Sequence, residues 1–202
     1  MLFKYVNPVK TIMVDSASPV PPPYNSDIEV IGLDRNYHNV DGRVFNGWTR
    51  GFLTGMLYAW NCDSDFIYVE QDLLVKGKGW VEAIYANAGA RRRYQVLSPK
   101  NAMGSVPWKI QQSLIFVPKE LIPAFFSGIA AKTNTTIAEQ QMCNGAPFYK
   151  ELPFGCGRIR PIDWDAEYLA LQHMTNREIR QMCLFEGIDF EKYGLTDDLL
   201  DL

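Results

Sequence analysis

At 202 residues, 47% apolar and 21% charged, the chain is long enough to bury a substantial core, and disorder is not its default. A net charge of −3 and a pI near 5.4 argue against a broad nucleic-acid footprint. Cys62, Cys143, Cys156 and Cys183 form no CxxC pair, so zinc-knuckle and thioredoxin-type motifs are unsupported and reduced thiols are expected.

The opening MLFKYVNPVKTIMV carries two lysines and a proline among its apolar positions and predicts no secretory signal. Thr11 to Val14 reads as a short strand closed by the small polar turn Asp15, Ser16, Ala17 and Ser18. The following PVPPPY forces extended backbone and rules out an immediate helix. Ile28 to Leu33 supplies a second strand, ended by Asp34, Arg35 and Asn36. Phe45, Trp48, Phe52, Met56 and Ala59 then recur at three- and four-residue steps, the stripe of a core-facing helix ending near Asn61. Gly47, Gly51 and Gly55 repeat within it at four-residue spacing. Each costs about 1 kcal/mol against alanine, which points to close backbone approach offsetting the loss.

Asp65 to Val75, DFIYVEQDLLV, is the segment richest in chemical meaning. Phe66 to Val69 is β-branched or aromatic throughout and reads as a central strand covered on both faces. Glu70 and Asp72 follow at its carboxyl end, where ligands bind in open α/β sheets. Alternate residues of an extended segment point the same way, so the two acids can converge on one hard divalent cation. The plainer alternative is a pair of solvated turn acids.

Beyond this, Gly79 to Asn87 reads as a helix, Tyr94 to Leu97 and Ile110 to Val117 as strands, and Pro118 as the N1 residue of a helix Lys119 to Phe126. Arg91, Arg92 and Arg93 read as a solvated helix end. Thr133 to Thr136 is a polar loop, and Ile137 to Met142 opens a helix with Glu139 in its first turn. Pro147, Pro153, Gly155 and Gly157 predict an irregular stretch. Asp163 to Phe185 has helical apolar spacing, and the acidic tail at 190–202 is expected to fray. No segment reaches the ~18 uncharged apolar residues of a spanning helix, so a soluble, cytoplasmic protein is expected.

The order of strand, D-S-x-S turn, strand, R-N loop, glycine-bearing helix, apolar strand and acid-x-acid resembles the nucleotide-sugar-binding half of a GT-A glycosyltransferase. It is also similar to the small GT-A domains encoded by large algal viruses. The resemblance covers residues 11 to 80 and implies a single GT-A-like domain over 1–202, with a mixed, mostly parallel, Rossmann-like sheet flanked by helices. Residues 11–80 would then be the donor half and 94–185 the acceptor half. It further implies that Asp15 and Ser16 hold the nucleoside and that Asp72 holds Mn²⁺ or Mg²⁺ on the donor diphosphate. Glu70 stands where the family has a leading aspartate, with Gln71 between the two acids in the same donor-binding set. The resemblance also offers Glu139, in AEQQM, as the base that activates the acceptor hydroxyl, with Gln140 where a second acid is usual. A late histidine is an additional metal ligand in some members, and His173 lies in that region.

The residues themselves add further candidates. Arg35 and Arg50 can meet phosphate oxygens by bidentate hydrogen bonds, or serve as surface ion-pair members. Asp163 and Asp165 flank Trp164 and are the second choice for base. Trp164, Trp108 and Tyr149 can seat a sugar ring, though a tryptophan is more often packing. Arg158 and Arg160 can clamp an anion. For Asp15 the alternative is an Asx-turn, for Glu139 a helix-terminal acid, and for His173 a structural histidine on a helix.

The expected activity is metal-dependent transfer of a sugar from a UDP-sugar to a carbohydrate hydroxyl, with inversion favoured over retention by the presence of a candidate base. A sugar-1-phosphate nucleotidyltransferase remains the rival enzyme, although residues 11 to 24 show prolines in place of a glycine-rich phosphate loop. A non-catalytic nucleotide-sugar or glycan-binding module is the rival of another class.

Overall fold

A computed structural model describes residues 6–20, 22, 26–36, 46–89, 96–99, 111–131, 149–156 and 161–189. In chain order the elements are β1 (Thr11–Asp15), β2 (Ile28–Gly32), α1 (Asn46–Asn61), β3 (Phe66–Val69), β4 (Leu74–Lys76), α2 (Trp80–Ala88), β5 (Val96–Pro99) and β6 (Leu114–Val117). A 3₁₀ turn (Lys119–Leu121) leads into α3 (Ile122–Ala130), followed by β7 (Tyr149–Leu152), β8 (Gly155–Cys156), β9 (Leu169–Leu171) and α4 (Asn176–Phe185). The protein is of mixed α/β class. No described helix is long and apolar enough to cross a membrane.

The core is organised by β6, whose four residues LIFV are all buried because both faces of its sheet are covered. The sheet order is β3-β6-β5-β7. Ile115 and Val117 face the helices α1 and α3 through Phe52, Met56, Phe125 and Ile129. Leu114 and Phe116 face the other way, toward Trp80, Ile84 and Ala88 of α2. Helices on both sides of one sheet make a three-layer arrangement. A smaller sheet, β4-β9-β8, carries its own apolar cluster of Ile162, Leu169, Leu171 and Met182.

Strand direction follows from how α1 lies across β1 and β3. A Cβ at Gly51 would meet Val14, whereas one at Gly55 would meet Ile12 at 3.7 Å and Phe66 at 3.2 Å. Along the same helix Trp48 packs edge-on against Tyr68, and Phe52 against both Tyr68 and Phe66. Rising residue numbers in α1 therefore match falling numbers in both strands. Helix α1 is antiparallel to each, and β1 and β3 run parallel. Since β1 pairs in parallel with β2, the carboxyl ends of all three strands lie at the amino end of α1. The Gly51 and Gly55 spacing serves close helix-on-sheet approach, as the repeat predicts.

Several elements differ from their sequence patterns. Of the six described strand pairs, β1·β2, β5·β7 and β8·β9 are parallel, whereas β3·β6, β5·β6 and β4·β9 are antiparallel. The strand expected from Ile110 begins only at Leu114, after a turn at Gln112 and Ser113. Pro118 precedes the 3₁₀ turn, and Pro123 occupies the first turn of α3. The stretch expected to be irregular contains β7 and β8. Asp163 to Phe185 is not one helix. Leu169–Leu171 is a strand held between β4 and β8, a case of tertiary pairing overriding local propensity. The helix starts at Asn176, where Thr175 and Glu178 form a complete capping box.

Phe52 is fully buried at the contact of α1 with β3, so Phe52→Ala should lose about 3–5 kcal/mol in urea unfolding. Leu184, 68% exposed on α4, should change stability by about 0.5 kcal/mol or less on replacement by alanine.

Candidate functional site

Glu70 extends the β3·β6 ladder by donating its backbone N–H to Ser113 O, and its own carbonyl accepts from Leu73 N at 3.0 Å. The four residues Glu70 to Leu73 thus form a tight turn, anchored by the buried Leu73, with both acids held at its rim. The chain then enters β4. Because β4 pairs antiparallel with β9 and Leu74 lies opposite Leu171, the residues that follow β9 arrive beside this turn.

Those residues are Gln172 and His173. Gln172 is buried, and its Nε2 donates to Glu70 Oε2 at 2.6 Å and to Asp72 Oδ1 at 3.1 Å. His173 Nδ1 lies 3.1 Å from Asp72 Oδ2. Successive residues of an extended strand point to opposite faces, yet these two reach the same carboxylate. The left-handed backbone at His173, φ 55°, turns its ring back to the side that Gln172 already occupies. Such a conformation costs a non-glycine residue roughly 1–2 kcal/mol.

The acid-x-acid pair and the late histidine, 101 positions apart in sequence, are therefore brought together. His173 stands on a loop between β9 and α4, which corrects its expected place on a helix. Gln172 escaped the sequence reading because the helical pattern assigned to 163–185 hid the strand that delivers it. A Leu-Ala-Leu run ending in Gln-His was the available signal. Among the described residues no group of three or more His, Cys, Asp and Glu is arranged to hold an ion by itself.

Asp15 and Ser16 end β1 and so lie on the same sheet edge as the Glu70 turn. The Asp15 carboxylate accepts from Ser18 N at 3.1 Å and from Ser18 Oγ at 2.5 Å, with Ala17 at φ 52° inside the turn. The carboxylate thus closes the turn locally, as the plainer reading of Asp15 expects, but through the residue three positions on and not the two of an Asx-turn. Arg35 follows β2 and Arg50 lies in the first turns of α1, both exposed at that same edge. Gln71 is exposed at the tip of the turn.

Asp163 and Asp165 sit elsewhere. Lys76, the last residue of β4, donates to Trp164 O at 2.6 Å and Ala166 O at 3.0 Å, so their loop lies at the end of β4 remote from Asp72. Asp163 Oδ1 accepts from Asp165 N. Trp164 stacks on Phe185 with ring centroids 5.6 Å apart, and Tyr149, half-buried, packs against the apolar cluster that includes Phe52 and Phe125. Glu139 with its 137–142 helix, the 133–136 loop, Trp108, Arg158 and Arg160 lie outside the described residues. No family model, curated protein or solved structure matches this chain.

Tyr68 lies beneath the acids, with Trp48 edge-on to its ring. Burial, reinforced by the charge of Glu70, pushes its phenol far above the ordinary 10.0. A raised folded value means that the protonated phenol's contribution to stability is complete below about pH 10, where the unfolded phenol ionises, and is lost above it. Alkaline titration followed at the phenolate absorbance should show Tyr68 ionising only as the chain unfolds, and Tyr68→Phe should remove that component. His173→Gly should leave stability unchanged or raise it by up to ~1 kcal/mol in urea unfolding, since glycine accepts the left-handed backbone and an exposed pair contributes little.

Proposed function

We propose that the chain is a metal-dependent glycosyltransferase of GT-A type that moves a sugar from a UDP-sugar to a carbohydrate hydroxyl. The observation that carries this reading is that Gln172 draws Glu70 and Asp72 together in one turn at the carboxyl edge of β3, on the side where Asp15 also lies. Further support comes from the parallel run of β1, β2 and β3, which directs every proposed donor-binding group to one edge. That edge is where open α/β sheets bind ligands.

Glu70 and Asp72 are oxygen donors of the type that a divalent cation takes when a diphosphate supplies the rest of its shell, since among the described residues they form no three-ligand group with His173. Mg²⁺ and Mn²⁺ take oxygen ligands, with an imidazole accepted more readily by Mn²⁺, and are commonly held by one or two carboxylates plus substrate phosphates, so a full protein cage is not required. In this reading Asp72 and His173 hold the ion and Glu70 contributes an oxygen directly or through water. When bound, the ion neutralises charge developing on the leaving diphosphate. Asp15 and Ser16 meet the nucleoside, and Arg35 and Arg50 meet phosphate oxygens. Glu139 takes the proton of the acceptor hydroxyl as that oxygen bonds to the anomeric carbon and the bond to the diphosphate breaks, with inversion. Which sugar, acceptor and linkage are involved is decided by pocket shape.

Incubation with UDP-sugars, Mn²⁺ and glycan acceptors should release UDP, and binding without release would favour a non-catalytic module. Asp72→Ala should abolish Mn²⁺-dependent UDP binding with an unchanged circular dichroism spectrum, and undiminished binding would contradict the site. Glu139→Gln should cut transfer at least tenfold while sparing donor binding, in keeping with the ~10²–10⁴-fold worth of a general base.

A further inference from the structure

Strands β4 and β9 are three residues each, and their pairing carries Gln172 to the Glu70–Leu73 turn. Their side chains do not by themselves choose that pairing. Leu171 lies opposite Leu74 and Leu169 opposite Lys76, so a slip of two residues would set Leu169 against Leu74 and return every side chain to the face it left. One buried leucine would replace another. The slip would nonetheless carry Gln172 about 6.5 Å along the strand, out of reach of Glu70 Oε2 and Asp72 Oδ1. The apolar pattern alone therefore leaves the placement of Gln172 undecided.

We propose that Lys76 is a positioning residue that fixes β9 against β4 and so holds Gln172 over the Glu70–Leu73 turn. From the end of β4 its Nζ donates to Trp164 O at 2.6 Å and to Ala166 O at 3.0 Å, both on the segment that enters β9. The same ammonium lies 5.1 Å from the centre of the Phe185 ring, which stacks on Trp164 and belongs to α4, the helix that follows His173. One cation thus grips the chain on both sides of β9. Hydrogen bonds from a charged donor are strong and directional, so the two carbonyls define position along the strand in a way that the leucines do not. The neighbouring residue adds to this hold. Gly77 N donates to Glu186 Oε1, and a Cβ at Gly77 would collide with Glu167 O, so the end of β4 lies close against the segment it anchors. Strand β8 pairs with the other edge of β9 and leaves its register against β4 to these contacts. The inference goes beyond the proposed activity, since it concerns where Gln172 stands and no ligand enters it.

The test follows the Gln172 side-chain amide by ¹H–¹⁵N NMR in the full chain without ligand, together with the cross-strand backbone NOE between Leu74 and Leu171. A Glu70→Ala/Asp72→Ala double variant gives the position of the amide signals without the carboxylates. Lys76→Met keeps the aliphatic stem and removes the donors. It should move the Gln172 signals to that position and abolish the NOE, while the methyl signals of Ile115 and Val117 in the main sheet stay in place. Lys76→Arg restores a cation able to meet both carbonyls and lie on the Phe185 ring, and should keep the wild-type signals, a rescue that a role in packing alone would not give. Phe185→Leu replaces a ring that is 52% exposed and serves if the methionine variant does not fold; it should shift the Gln172 signals in the same direction by a smaller amount. Unchanged Gln172 signals in Lys76→Met or, where that variant is unfolded, in Phe185→Leu overturn the proposal, as does loss of the wild-type signals in Lys76→Arg.

Discussion

The local architecture of this edge depends on keeping two negative groups close together. Like charges held in one turn repel each other, the more strongly the lower the local dielectric. Water weakens that at Asp72, whose side chain is 41% exposed. The remaining repulsion is met by hydrogen-bond donors delivered from a distant part of the chain, Gln172 to both acids and His173 beside one of them. Charge-assisted hydrogen bonds of this kind are stronger than neutral ones. The β4·β9 pairing is therefore more than a structural seam, because its register decides which side chains stand over the Glu70 turn.

The larger fold makes that edge the natural place for such a concentration of charge. Buried apolar contacts on both faces of β3 and β6 fix the sheet, while α1 closes over β1 and β3 through small residues that permit close approach. Strand direction then does the sorting. Groups that follow β1, β2 and β3 collect at the amino end of α1, and those at the other end, such as the Lys119–Asp63 pair and the Lys10–Glu29–Tyr58 cluster, are kept apart. The Asp163–Asp165 loop is likewise held away by Lys76.

Much of this was legible in the sequence where a strong pattern met a long element. The stripe from Phe45 to Ala59, with its end near Asn61, predicts α1 within a residue, and FIYV predicts β3, although β3 stands at the end of the described sheet order and β6 takes the central place expected of it. Short strands left weaker traces. Leu-Ala-Leu fits a helix as well as a strand, and only the pairing with β4 and β8 decides between them. Asp15 carried two readings, and the carboxylate's bonds to Ser18 show that local turn closure is one role it fills. Gln172 was invisible for a different reason. An amide carries neither charge nor periodicity, and its meaning arises only from the two acids that tertiary structure sets against it.

The most telling departure from local preference is the backbone at His173. A β-strand that ends in Leu171 and a helix that starts under the Thr175 capping box can be joined through ordinary backbone conformations, so the left-handed residue is not forced by chain connection in general. What it achieves is specific. It lets residues 172 and 173 approach one carboxylate from the same side, which ordinary alternation forbids. Strain of this kind persists where surrounding interactions over-determine it, and it concentrates at sites where geometry matters more than stability. At this position the surrounding interactions are the β4·β9 pairing before it, the capping box after it and the two contacts to Asp72. The outlier thus points to the same carboxylate as the hydrogen bonds do, by an argument independent of charge.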